Sequence, residues 1–188
     1  MGKREARGTV TRSELLDEDQ GDGRFRQLLY DVFAFAEGLA QARALFAGSI
    51  GLSAPQYLIL IVVDQAEASA EIGVAQVAER LHLSGAFVTI EANKLVQAGL
   101  LEKHPHSVDR RRVHLTVTAN ARDLLTQLAL VQRPVNDALF AGLSREEFEH
   151  LGATMHRLAQ GAGQAIHLAH HLIAREGGAH AEAKTGRG

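Results

Sequence analysis

The chain of 188 residues contains no cysteine. That absence excludes disulfides, thiol nucleophiles, cysteine-ligated zinc and thiol-based redox sensing together. Long apolar runs are missing too. The longest, Tyr57 to Val63, is far too short to cross a bilayer. The N-terminal MGKREARGTVTRSELLDEDQ has no apolar core and does not read as a secretory signal. Catalytic signatures are equally scarce: G-x-S-x-G, a P-loop, H-E-x-x-H and a glycine-rich dinucleotide fingerprint are all absent, and the glycines scatter to helix ends and tails. The formal net charge is −2, so nothing global marks a nucleic-acid binder and such a signal has to be local. The expectation is a soluble cytoplasmic protein that is not an enzyme, carries no cofactor and does not engage a membrane.

With 46% hydrophobic and 22% charged residues the composition is globular, and the length suits one domain with a real core. Residues 1–22 read as a flexible arm, basic first and acidic after, and 177–188 read as a disordered tail. Between them lies a single domain, 23–176. Phe25, Leu28, Leu29, Val32, Phe35, Ala36, Leu39 and Phe46 form a stripe at helical spacing, which predicts a first helix over about 24–48, closed by Gly48 or Gly51. Ser53 and Gln56 stand at capping-box spacing before a second, nearly all-apolar helix. An extended piece at Ala70 to Ile72 leads into VAQVAERL, a two-turn helix. SGAFVTIEANKLVQAGL follows as a longer one, with Ser84 as N-cap and Gly99 as the stop. Leu100 to Lys103 and Val113 to Val117 read as strands. Thr118 caps a helix towards Leu139, in which Pro134 predicts a kink near Leu130. Ser144 and Glu147 form a second capping box before a last helix to about Arg175.

The two-turn helix, the short turn at His82–Leu83 and the longer helix make a helix-turn-helix over about 74–98. The hairpin at about 100–117 makes it winged. The expected fold class is therefore mostly α with a small β-hairpin, a winged helix-turn-helix flanked by long helices at about 24–48 and 119–175. In such a motif the second helix enters the major groove and its N-terminal residues reach base edges. Here these are Ser84, Gly85 and Ala86, with Thr89 and Asn93 on one face, while Val88, Ala92 and Leu95 pack inward. Hydroxyl and amide groups at Thr89 and Asn93 suit base readout.

The hairpin tip sharpens this. The stretch HPHSVDRRRVHLTVT puts Arg110, Arg111 and Arg112 beside Asp109. A solvated charge cluster is the ordinary reading of such a run, but it leaves unexplained why the run sits between two strands behind a helix-turn-helix. An arginine at a wing tip can enter the narrow minor groove, and Asp109 can hold the Arg111 guanidinium in a bidentate pair. Lys94, Lys103, Arg110 and Arg112 are then candidate phosphate contacts.

VAQVAERLHLS, VT-x4-KLVQAGLLEK and DRRRVHLTVT together resemble the MarR family of winged-helix transcriptional regulators, over roughly residues 24–173. The D-x-R wing at Asp109 and Arg111 is the most specific part. The resemblance implies a homodimer joined by its first, fifth and sixth helices and reading a pseudo-palindromic operator in double-stranded DNA. It also implies release by a small-molecule effector, often an aromatic acid or phenol, bound among the first, second and fifth helices. The candidate residues there are Tyr30, Arg43 and Tyr57, of which the arginine suits a carboxylate; the ordinary alternative makes Arg43 solvent-facing and both tyrosines core. Three departures stand out: Ile90 where many relatives carry a basic residue, Glu91 as a negative charge near the DNA face, and Ala121 for a common glycine.

Two other classes of function remain. His167 and His171 share a helical face, as metal ligands can, and His170 lies beside them. However, the core stripe of that helix, Leu151, Met155, Leu158, Ala162, Ala165, Ala169 and Leu172, lies opposite, which leaves the histidines solvated. No metal site is expected, and a metal-responsive regulator is the alternative reading. A helical dimer acting only through protein contacts is the other, and it gives the wing arginines no purpose.

Overall fold

The computed structural model describes residues 8–67, 71–105 and 113–185, excepting the side chains of 67 and 176–185. The order is α1 (Gly23–Ser49), α2 (Ala54–Glu67), α3 (Val74–Leu81), α4 (Gly85–Gln97), β1 (Leu101–Pro105), β2 (Val113–Val117), α5 (Ala119–Leu139) and α6 (Arg145–Thr185). The fold is mostly α with a two-stranded antiparallel hairpin, as the residue pattern predicts. Two compact units divide at Leu139.

In the first unit α2 is the hub. Ser53 and Gln56 form the anticipated capping box: the Ser53 N–H donates to Gln56 Oε1 (3.0 Å) and the Gln56 N–H to Ser53 Oγ (3.4 Å). Because α2 is apolar on nearly every side, it can pack against α1, α3, α4 and β2 at once, with Ile59, Leu60 and Val63 fully buried. The β-branched run in it stays helical because the cap starts a helix and no turn residue interrupts it. Val77, Val88, Ala92, Leu95, Leu101 and Leu115 complete this core.

Local chemistry fixes where the elements stop. Gly99 at φ +69° lets α4 close with the Leu100 N–H on the Leu95 carbonyl (2.9 Å). α3 closes the same way through His82, with the Leu83 N–H on the Ala78 carbonyl (2.9 Å). His82 is a non-glycine residue held at φ +53°, a conformation L side chains adopt at a cost. α1 runs a residue past Gly48, and the Leu52 N–H bonds to the Ala47 carbonyl (2.9 Å).

Some expectations are corrected. Part of the anticipated arm has defined bonds: Asp17 accepts the Gly23 N–H (2.9 Å) at the start of α1, and Asp22 accepts the N–H and hydroxyl of Thr9 (2.7 and 2.6 Å). Asp17 thereby serves orphan donors at the positive end of α1. The apolar stripe of α1 is mostly open, with only Phe46 and Ala47 buried and Leu28, Phe33 and Leu45 exposed. Pro134 lies inside α5, as the sequence placed it, and the chain is helical on both sides of it.

In the second unit, Ser144 and Glu147 form the second capping box (2.8 and 3.3 Å), and Phe148 meets Phe140 edge-on at 6.0 Å. α6 continues to Thr185, past the expected end near Arg175 and into the span read as a disordered tail. Its predicted core stripe is not buried: Met155, Leu158 and Leu172 are exposed, as are His167, His170 and His171. Among the described residues no single helix is long and apolar enough to cross a membrane.

Candidate nucleic-acid interface

The recognition helix α4 begins where the sequence places it. Ser84 sits at the N-cap and its Oγ accepts the Phe87 N–H (3.2 Å). Val88, Ala92 and Leu95 are buried, at 0%, 0% and 1% exposure. Gly85, Ala86, Thr89, Asn93 and Lys94 all fall on the exposed side. The structure thus brings the predicted contact residues of α4 to one face.

The hairpin follows at once. Leu101 pairs with Val117, Lys103 with Leu115 and Pro105 with Val113. Ile72 adds a third segment through the Leu115 N–H on its carbonyl (2.8 Å). Gly73 is required by this crowding, because a Cβ there would lie 2.9 Å from the Val113 carbonyl oxygen. Thr118 ties three elements: its hydroxyl accepts the Ala121 N–H (3.1 Å) to cap α5 and donates to the Gly99 carbonyl (2.8 Å) behind α4. Lys103 Nζ reaches across from β1 and donates to Asn93 Oδ1, so strand and recognition helix are joined on the exposed side. The proposed tip residues Asp109, Arg110, Arg111 and Arg112 lie outside the described residues.

Glu91 is a correction. Read as a negative charge near the DNA face, it is 7% exposed and turned inward. It accepts from Gln56 Nε2 (3.0 Å) and pairs with Lys94 Nζ (2.7 Å). Gln56 therefore caps α2 with its oxygen and holds α4 with its amide nitrogen. The Lys94 hydrogen bond lowers the carboxyl pKa below its ordinary value against the opposing effect of burial, with Gln56 assisting. The sequence did carry this signal: Val88, Glu91, Ala92 and Leu95 share the i, i+3, i+4, i+7 face.

Sequence reasoning also missed a histidine pair on the hairpin. His104 and His114 face each other across the strands, ring centroids 5.4 Å apart. His104 Nε2 contacts Glu102 (3.2 Å) and Thr116 (3.1 Å), and His114 Nδ1 lies 3.8 Å from Glu71. Among the described residues no group of three histidine, aspartate or glutamate side chains converges to hold a metal ion.

The predicted effector residues separate. Arg43 and Tyr57 lie together between α1 and α2, whereas Tyr30 stands thirteen residues before Arg43 on the same helix, about 20 Å along its axis. Tyr30 instead lines a cleft of about 260 Å3 with Thr9, Arg26, Leu29 and Phe33. Tyr57 is buried at 7% exposure and accepts a hydrogen bond from Gln132 of α5, a residue not anticipated. Burial raises its phenol pKa, opposed by that bond and by the charge of Arg43. Arg43 Nε is buried with no hydrogen-bond partner among the described residues. An orphaned donor on a permanent cation suits an incoming anion.

A capped recognition helix behind a short helix and turn, with a hairpin bonded to its flank, defines a winged helix-turn-helix protein. Residues 50–112, which include the helix-turn-helix and the first strand of the hairpin, match the sequence model of the MarR family. Solved structures share the architecture. The chain is 16% identical to a MepR–DNA complex from S. aureus, covering 71% of this chain and 94% of that one with a TM-score of 0.61. It is 18% identical to a MarR variant from E. coli complexed with operator DNA (72% and 95% covered, TM-score 0.58). It is 25% identical to the PcaV regulator from Streptomyces coelicolor with its natural ligand (68% and 90% covered, TM-score 0.52). No curated protein matches the chain significantly.

Proposed function

We propose that the protein is a sequence-specific DNA-binding transcriptional regulator, a homodimeric repressor released from a pseudo-palindromic operator by a small aromatic or phenolic ligand. The observation that carries the reading is the exposed, capped face of α4 joined to the wing through Lys103 and Asn93. Lys94 and Lys103 supply phosphate contacts, and the arginines of the tip supply the remainder together with the minor-groove anchor. DNA complexes of proteins with this fold support it. Cytoplasmic localisation follows from this role.

Dimerisation is supported by the open apolar residues of α1 and α6, among them Phe33, Leu45, Leu158 and Ile173, which a second copy would cover. Effector binding is supported by the unpartnered Arg43 Nε beside Tyr57 and Gln132, an arrangement suited to an aromatic carboxylate.

The test is a fluorescence-anisotropy titration with duplex from the protein's own upstream region and random duplex as control, at two salt concentrations. Preferential binding is expected, with affinity falling by about 0.9 log units per log unit of salt for each phosphate contact. Benzoate, as a probe carboxylate, is expected to weaken operator binding by the wild type and not by Arg43→Leu. Equal weak binding to both duplexes would overturn the regulator reading, and a benzoate effect that survives Arg43→Leu would overturn the effector site.

A further inference from the structure

The outer face of α4 carries two large apolar side chains. Phe87 is 37% exposed and Ile90 54% exposed, three residues apart and one turn from the helix start. The side chains of Ser84, Thr89, Asn93 and Lys94 are meanwhile bonded within the protein. Thr89 Oγ1 donates its proton to the Gly85 carbonyl (2.8 Å), and Ser84 Oγ accepts the Phe87 N–H. Lys94 is drawn to Glu91 (2.7 Å). Asn93 Oδ1 accepts from Lys103, which occupies the oxygen that a bidentate asparagine–adenine pair needs.

On the floor of the major groove the apolar group available to such carbons is the C5-methyl of thymine. Cytosine or guanine beneath them would lose water from amino or carbonyl groups without gaining a partner. The occupant is duplex and not an apolar protein surface, because the exposed cations Lys94 and Lys103 stand on the same face. Resting on the regulator reading above, we propose that Phe87 and Ile90 are specificity-determining residues that read thymine methyl groups. Each operator half-site then carries thymine beneath the first two turns of α4.

The experiment enriches duplexes from a random pool on the full-length protein, then replaces each half-site thymine of the enriched duplex by deoxyuracil. This removes only the methyl and keeps pairing with adenine. Affinity by anisotropy is expected to fall roughly fourfold per contacted methyl, the effect of one buried carbon. Ile90→Ala is expected to weaken binding to the thymine duplex and bring the thymine-to-uracil ratio at its contact towards one. An enriched site indifferent to every methyl overturns the proposal and leaves the regulator reading intact. Ile90→Ala with unchanged duplex affinity also overturns it. Failure to enrich any duplex overturns both readings together.

Discussion

Glu91 shows how one residue can join two helices that the sequence places far apart. Its carboxylate bridges Gln56 at the start of α2 and Lys94 on α4, in a position whose helical neighbours Val88, Ala92 and Leu95 are all core. Removing it leaves the Gln56 amide facing a cavity, so Glu91→Ala is expected to cost on the order of 1–2 kcal/mol. The exposed end of the Lys94 pair contributes little of this. The folded-state pKa is depressed, so this stability is present above the ordinary carboxylate range and is lost as pH falls through the depressed value. Urea midpoints of wild type and variant should therefore converge on acidification. A gap that stays constant down to strongly acidic pH would show that ionised Glu91 does not stabilise the fold.

Among the elements, the wing is the most dependent on its joints. Thr118 directly follows β2, and through one hydroxyl it caps α5 and bonds to the carbonyl of Gly99 behind α4. Thr118→Val keeps the volume and β-branching while deleting both bonds. It is expected to cost about 1–2 kcal/mol by thermal or urea unfolding, the range of a lost N-cap. Thr118→Ser, which keeps the hydroxyl, is expected to recover most of it. Equal losses in both variants would assign the effect to the methyl group. Gly73 illustrates the same dependence from the other side, since the Val113 carbonyl occupies the space a side chain would need.

For the whole molecule, the open apolar residues are the dominant feature. Leu28 and Phe33 of α1 are 56% and 64% exposed on a helix whose apolar stripe is otherwise also largely open. Sedimentation velocity at micromolar concentration is expected to give a dimer. Phe33→Glu, which places a charge on this face, is expected to weaken association by at least about tenfold with unchanged helical circular dichroism. A wild-type monomer, or a variant that still dimerises as tightly, would count against the homodimer.

Local structure was legible from residue spacing alone. Capping boxes at Ser53–Gln56 and Ser144–Glu147, the Ser84 N-cap and the Gly99 stop are contacts within a few residues, so their spacing carries the information. The inward face of α4 was legible for the same reason, and through it the winged helix-turn-helix. The contacts that spacing could not reveal join partners far apart in the chain. The Gln56–Glu91 bond spans 35 residues and the Gln132–Tyr57 bond 75, and no periodicity relates their ends. Lys103 occupying Asn93 likewise depends on how the hairpin folds back on α4. Spacing assigned Asn93 an amide to read bases with, and tertiary packing gave its oxygen to a lysine, because a charge-assisted bond on hand is made wherever two elements bring its ends together.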